Sequence, residues 1–238
     1  MLPAWQTATV IKIEQVTHDT RRFWLRVHGV ERFEFKPGQF VTLDLPISEQ
    51  RNKRWRSYSI ASPPDESNVI ELIIVELEQG VGSRYIFQEV IEGSEVKFRG
   101  PQGVFLLPDI SNRDLFMICT GTGIAPFRSM LRHILNSGMP HRQIHLVFGT
   151  NTAEETLYLA EMQQLEKELE GFKFHYIFSC DGSYGETGYV HKLYVPLCLD
   201  NPEAQFMICG WRTMIDDART TLRDLGFDSK AIHVEIYG

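Results

Sequence analysis

The chain has 238 residues and a mass of 27.5 kDa, enough for two domains of ordinary size. Hydrophobic residues make up 43% and charged residues 23%, a balance that excludes disorder as the main state. With 24 Lys and Arg against 31 Asp and Glu the net charge is −7, which argues against a nucleic-acid binder, and no apolar run is long enough to span a bilayer.

Residues 1–15 lack a basic stretch followed by an apolar core, so no secretory signal is expected. Residues 22–27 largely alternate charged and apolar side chains, as a half-buried strand does, and 95–99 alternate cleanly. Residues 69–77 form a further strand candidate, and a short helix is expected over 83–90. Pro37-Gly38 and Pro63-Pro64-Asp65 punctuate this half as turns. Short strands joined by such turns imply a barrel or sandwich over 1–110. This part carries 13 basic and 15 acidic residues, so it is no polybasic module.

After the linker at 108–112 the pattern changes. Residues 115–119 are a continuous apolar run, the mark of a strand buried on both faces, and 144–148, 174–178 and 206–209 repeat the type. Between them Tyr158, Met162, Leu165 and Leu169 share a helical stripe, as do Met214, Ala218 and Leu225 near the end. Strand–helix alternation over 111–238 implies a doubly wound parallel sheet, with ligands at the carboxyl ends of its strands.

Directly after the first buried strand comes Thr120-Gly121-Thr122-Gly123-Ile124-Ala125-Pro126. Glycines let the backbone approach a phosphate, and the following helix offers free N–H groups. Pro126 replaces the third glycine of the dinucleotide fingerprint, so the loop fits either a nucleotide or a plain strand–helix turn.

Taken together, Arg56-Ser57-Tyr58-Ser59, Gly80-Val81-Gly82-Ser83, the loop from Thr120 to Pro126, Cys209-Gly210 and Glu235-Ile236-Tyr237 form an ordered set. It resembles the ferredoxin–NADP reductase family of flavoproteins, over essentially the whole chain. The resemblance implies an N-terminal antiparallel Greek-key β-barrel that binds FAD, followed by the α/β domain that binds NADH or NADPH. It implies a flavin-dependent oxidoreductase that passes electrons from the pyridine nucleotide to a separate acceptor. Arg56 would neutralise the FAD diphosphate, Ser57 and Tyr58 would line the flavin, and Ser59 would hydrogen-bond it. Gly82 and Ser83 would place a helix N-terminus at the diphosphate. Thr120, Gly121, Thr122, Gly123 and Gly210 would hold the pyridine nucleotide, with Cys209 and Glu235 beside the nicotinamide. Tyr237 matches the terminal tyrosine that covers the flavin in plant-type members, although Gly238 follows it here.

Ser179 and Asp181 close the third buried strand of this domain. NADPH-selective members place an arginine after this serine; here Cys180 follows, and Asp181 would repel a 2′-phosphate and suit a ribose diol, which favours NADH. The resemblance allows ferredoxin, flavodoxin, a haem protein or oxygenase component, or free flavin as the separate acceptor. Arg51, Lys53, Arg54 and Arg56 form a basic cluster that would suit an acidic carrier protein or simply a solvated loop. A free-flavin reductase and a non-catalytic redox-sensing subunit are the alternative functions. No metal is expected: His141 directly follows Pro140 and His145 falls in a predicted strand, so the pair does not share a helix. Cys119, Cys180, Cys198 and Cys209 are widely spaced, without a Cys-x-x-Cys pair or an iron–sulfur spacing, as expected of a cytoplasmic protein.

Overall fold

The first unit comprises residues up to Leu106 together with Arg128–His133. The computed structural model describes residues 3–184 and 187–237, without the side chain of residue 184; Gly238 lies outside the described residues. Six strands build this unit: β1 (Trp5–Gln15), β2 (Thr20–Val27), β3 (Phe40–Asp44), β4 (Trp55–Ser59), β5 (Val69–Val75) and β6 (Glu95–Gln102), with one helix, α1 (Val81–Glu89), before β6. They pair antiparallel in the order β4-β3-β6-β1-β2-β5. An Ile60–Leu72 bridge joins the two outer edges, so the sheet closes into a barrel. The late strand β6 lies between β1 and β3, which is the Greek-key crossing.

Alternation places Phe23, Leu25 and Val27 of β2 in the core and leaves Trp24 and Arg26 outside it. The outer Trp24 ring is covered by Lys12 and Arg22, whose cations lie 4.3 and 4.6 Å from its centroid. Strand β5 is apolar except for Glu71, which is buried. Its carboxylate accepts from Arg22 at 2.7 and 3.0 Å and from Arg128 at 3.1 Å, so the buried charge is compensated.

The second unit holds five parallel strands: β7 (Leu115–Thr120), β8 (Ile144–Thr150), β9 (Phe172–Phe178), β10 (Gln205–Trp211) and β11 (Ile232–Tyr237). Between them run α2 (Ile124–Ser137), α3 (Leu159–Glu168), α4 (His191–Cys198) and α5 (Arg212–Asp224). The order β11-β10-β7-β8-β9 puts the first strand in the centre. The chain winds outward through β8 and β9, then returns across to β10 and β11. The order therefore reverses between β7 and β10, which opens a crevice at their carboxyl ends.

Two helical stripes are shorter than the sequence pattern predicts. Tyr158 has φ +56° and caps α3 from outside, and Leu169 follows its end. In α5 the buried residues are Ile215, Ala218 and Leu222, while Leu225 lies past the last turn and is exposed. The helix thus turns its face by one residue relative to the stripe through Met214. Among the described residues no helix is long and apolar enough to cross a membrane.

Candidate functional site

In the barrel, the site is built where β4 faces the N-terminus of α1. Arg56 and Tyr58 share a face of β4 with Val41 and Leu43 opposite on β3. Arg56 Nη1 donates to the carbonyls of Lys53 (3.0 Å) and Trp55 (2.8 Å), which fixes the guanidinium while Nε and Nη2 keep no protein partner among the described residues. A Cβ on Gly82 would lie 2.7 Å from Arg56 Nε and 2.8 Å from its Cγ. The glycine therefore lets the side chain lie against the first turn of α1. That turn has no side-chain cap, and its N-cap is Gly80. Ser83 is buried; its hydroxyl accepts from the Leu77 N–H (3.0 Å) and donates to the Gly80 carbonyl (3.1 Å), so it holds the loop in shape. Free guanidinium donors, a bare helix N-terminus and a cradle without a Cβ together suit a diphosphate.

Tyr58 packs partly against the barrel core, and burial raises its phenol well above the ordinary value, with the Arg56 charge opposing. It is a neutral aromatic face. Ser59 is buried at the end of β4. Ser57 lies on the opposite face of the strand, its hydroxyl 3.1 Å from that of Thr42, so its side chain is apart from Arg56 and Tyr58.

In the second unit, Thr120 ends β7 and Gly121 turns with φ +51° into a single 3-10 turn over Gly121–Gly123 that leads into α2. No side chain fits at Gly123, because a Cβ would collide with the Cys209 carbonyl. Gly210 has φ +148°, and a Cβ there would lie 2.7 Å from Thr120 Oγ1. That hydroxyl is buried without a hydrogen-bond partner among the described residues. Helices α2 and α5 both begin at this crevice without side-chain caps. An orphaned hydroxyl, close backbone approach and two bare N-termini again suit a diphosphate. Pro126 falls in the first turn of α2, where its missing N–H costs nothing.

Cys209 on β10 has Cys119 of β7 opposite it on one side and Glu235 of β11 on the other. Burial pushes its thiol well above the ordinary range, and the neighbouring Glu235 carboxylate and Cys119 thiol act in the same direction. The thiol is therefore protonated at neutral pH and not a ready nucleophile.

Ser179 follows β9, on the other side of the central strand. Its N–H donates to the Thr150 carbonyl (2.9 Å) and its hydroxyl to Asn151 Oδ1 (3.2 Å). Asn151 in turn donates to Glu155 (2.9 Å). Asp181 accepts from the Ser183 N–H at 2.9 Å; bonds from Ser183 and from the Ala153 N–H hold its carboxyl below the usual range. Asp181 thus starts a turn and also keeps a fixed negative charge beside Ser179. Asn151 and Glu155 were not evident as site residues, although Gly149-Thr150-Asn151-Thr152 at the end of a buried strand was the available signal. Among the described residues there is no cluster of three or more metal-ligating side chains.

Family models match both parts of the chain. The oxidoreductase FAD-binding domain model matches residues 7–106, and the oxidoreductase NAD-binding domain model matches 117–220. Ferredoxin–NADP reductase B of Sorangium cellulosum is 33% identical over 214 residues, covering 86% of each chain. The toluate 1,2-dioxygenase electron transfer component of Pseudomonas putida is 27% identical over 229 residues, covering 96% of this chain and 66% of that one. Among solved structures, an Amycolatopsis cytochrome P450 reductase aligns with a TM-score of 0.88 at 27% identity, over 98% of this chain and 69% of that one. The Neisseria gonorrhoeae ferredoxin NADP+ reductase with bound FAD and NADP aligns with a TM-score of 0.81 at 25% identity, over 98% of both. The chain belongs to the ferredoxin–NADP reductase family of FAD- and NAD(P)-dependent oxidoreductases.

Proposed function

We propose that this reductase takes its electrons from NADH and delivers them to a separate protein carrier, a ferredoxin or an oxygenase component, in a cytoplasmic setting. FAD, when bound, accepts two electrons as hydride and releases them singly. Residues 1–110 hold the flavin and 111–238 the pyridine nucleotide. Arg56, Gly82 and Ser83 with the start of α1 receive the FAD diphosphate, and Tyr58 and Ser59 border the flavin. Thr120, Gly121, Thr122, Gly123 and Gly210 receive the pyridine-nucleotide diphosphate. Cys209 walls the end of β10 with a neutral thiol that shuts out water, and Glu235 across from it holds a proton acceptor at its carboxylate. The names of the relatives support a protein acceptor: they include dioxygenase and monooxygenase electron-transfer components.

The observation that carries the choice of NADH is the Asp181 carboxylate, kept charged beside Ser179. No lysine or arginine occurs between Ser179 and Val190 to pair a 2′-phosphate. Steady-state kinetics with both donors test it. NADH is expected to exceed NADPH in kcat/KM by at least about tenfold, the discrimination that one unpaired buried or like-charge contact supplies. The double substitution Cys180→Arg with Asp181→Ser should narrow or invert the ratio. A wild-type preference for NADPH would defeat the assignment.

A further inference from the structure

The sheet order decides which half of the dinucleotide reaches each side of the crevice. In the reading given above its diphosphate sits at the central strand, on the turn Gly121–Gly123 and beside the Thr120 hydroxyl, which has no partner among the described residues. Strands β9 and β10 stand on opposite sides of that centre. Ser179 and Asp181, at the end of β9, take the adenosine ribose in the reading given above. The nicotinamide half must then run toward β10 and β11.

Trp211 ends β10, two residues beyond Cys209, with Tyr237 as its register partner on β11. It is also the residue that caps α5. The indole is 47% exposed and has no ring, cation or hydrogen-bond partner among the described residues. The other three tryptophans differ: Trp5, Trp24 and Trp55 each carry a cation or a second indole over the ring. Tryptophan has the strongest quadrupole of the aromatic side chains, and its face attracts a flat cation. The oxidised nicotinamide ring is such a cation.

We infer that the Trp211 indole packs against the nicotinamide ring of the pyridine dinucleotide and supplies part of its affinity. This rests on the adenosine ribose lying at Ser179 and Asp181. It makes Trp211 a binding residue for one half of the ligand, separate from the residues that hold the diphosphate.

Equilibrium titrations of the FAD-loaded protein with NAD+ and with ADP-ribose, which lacks the nicotinamide, test the inference. Trp211→Ala should weaken NAD+ on the order of tenfold, the loss expected for one aromatic stacking partner. It should leave ADP-ribose within about twofold, since that ligand keeps every other contact. Trp211→Phe, which keeps a ring face, should recover most of the loss. Unchanged NAD+ affinity in Trp211→Ala would overturn the role. Equal weakening of both ligands would also overturn it, because the indole would then act on a part of the ligand that ADP-ribose shares. A wild-type protein that binds NAD+ but not ADP-ribose would instead show that the Ser179 end has been misassigned, and the inference would fall with it.

Discussion

The four cysteines show how position alone sets the chemistry of one side chain. All are free thiols. Cys119, Cys198 and Cys209 are buried, and burial raises each: Cys198 to about 11, the other two well above the ordinary range. Cys180 is exposed, 3.5 Å from the Ser179 hydroxyl. Since the thiolate is the reactive form, iodoacetamide at pH 8 should label Cys180 in the native protein and all four cysteines only in urea. Saturating NAD+ should slow labelling of Cys180 several-fold, because the adenosine ribose would cover Ser179 and Asp181. Peptide mapping by mass spectrometry reads both results, and protection by NAD+ that is absent would separate Cys180 from the nucleotide. Cysteine spacing in the sequence already argued against a disulfide framework or a metal site. Spacing alone does not tell Cys180 from Cys119; the apolar run 115–119 does, because it places Cys119 inside a buried strand whereas Cys180 follows the end of β9.

Among elements, the legible ones are those whose own side chains state their burial. Strand β2 alternates, β7 is apolar throughout, and the Gly121–Gly123 turn carries its glycines where the backbone needs them. Strand β4 is different. It follows the basic run Arg51 to Arg54, for which a solvated loop is one reading, and pairing with β3 makes it a strand. Its Trp55 then joins a stack with Arg99 and Trp5, with the Arg99 guanidinium 4.4 and 5.0 Å from the two ring centroids. Helix α4 is hidden for another reason: it has eight residues and contains Pro196. Neighbouring strands also create a property no sequence pattern announces. His145 on β8 and His175 on β9 meet with Nδ1 and Nε2 3.1 Å apart, and the His145 ring stacks on Phe116 at 4.7 Å. Burial lowers both histidines; each is also lowered by Lys173, and His145 by His175, while Asp114 and Glu166 act the other way. The fold therefore favours the neutral pair. Protons bind the unfolded chain more readily, so this stability is complete above about pH 6.5 and is lost as pH falls below it. The urea midpoint should drop between pH 7.5 and 5.5, and His175→Gln should shrink that drop. An identical pH dependence in the variant would show that other groups control it.

For the whole molecule, the sequence pattern was sufficient for the division into a β-rich and an α/β part, because their periodicities differ. It did not show that Arg128–His133 count with the barrel, since that assignment depends on contacts such as Arg128 to Glu71 and Ser129 to the Ser62 carbonyl (2.7 Å). Cofactor binding supplies a test at this scale. A ligand that binds only the folded state stabilises it by RT ln(1 + [L]/Kd), about 2.7 kcal/mol at a hundred times Kd. For a chain of this size each kcal/mol moves Tm by about 2–4 °C. Protein stripped of FAD and returned to that concentration should therefore gain about 5–10 °C. In the proposed site Arg56 would hold the diphosphate through its guanidinium donors, so Arg56→Ala should raise Kd by about a hundredfold, the cost of losing a bidentate charged contact. At the same FAD concentration the gain then falls to RT ln 2, about 0.4 kcal/mol, and the shift to about 1 °C. Arg56→Lys should restore only part of it, because an ammonium cannot reproduce the fork. NAD+ should stabilise the Arg56→Ala protein as much as the wild type if its site lies wholly in the second unit. Equal FAD shifts in wild type and Arg56→Ala would remove Arg56 from the diphosphate site.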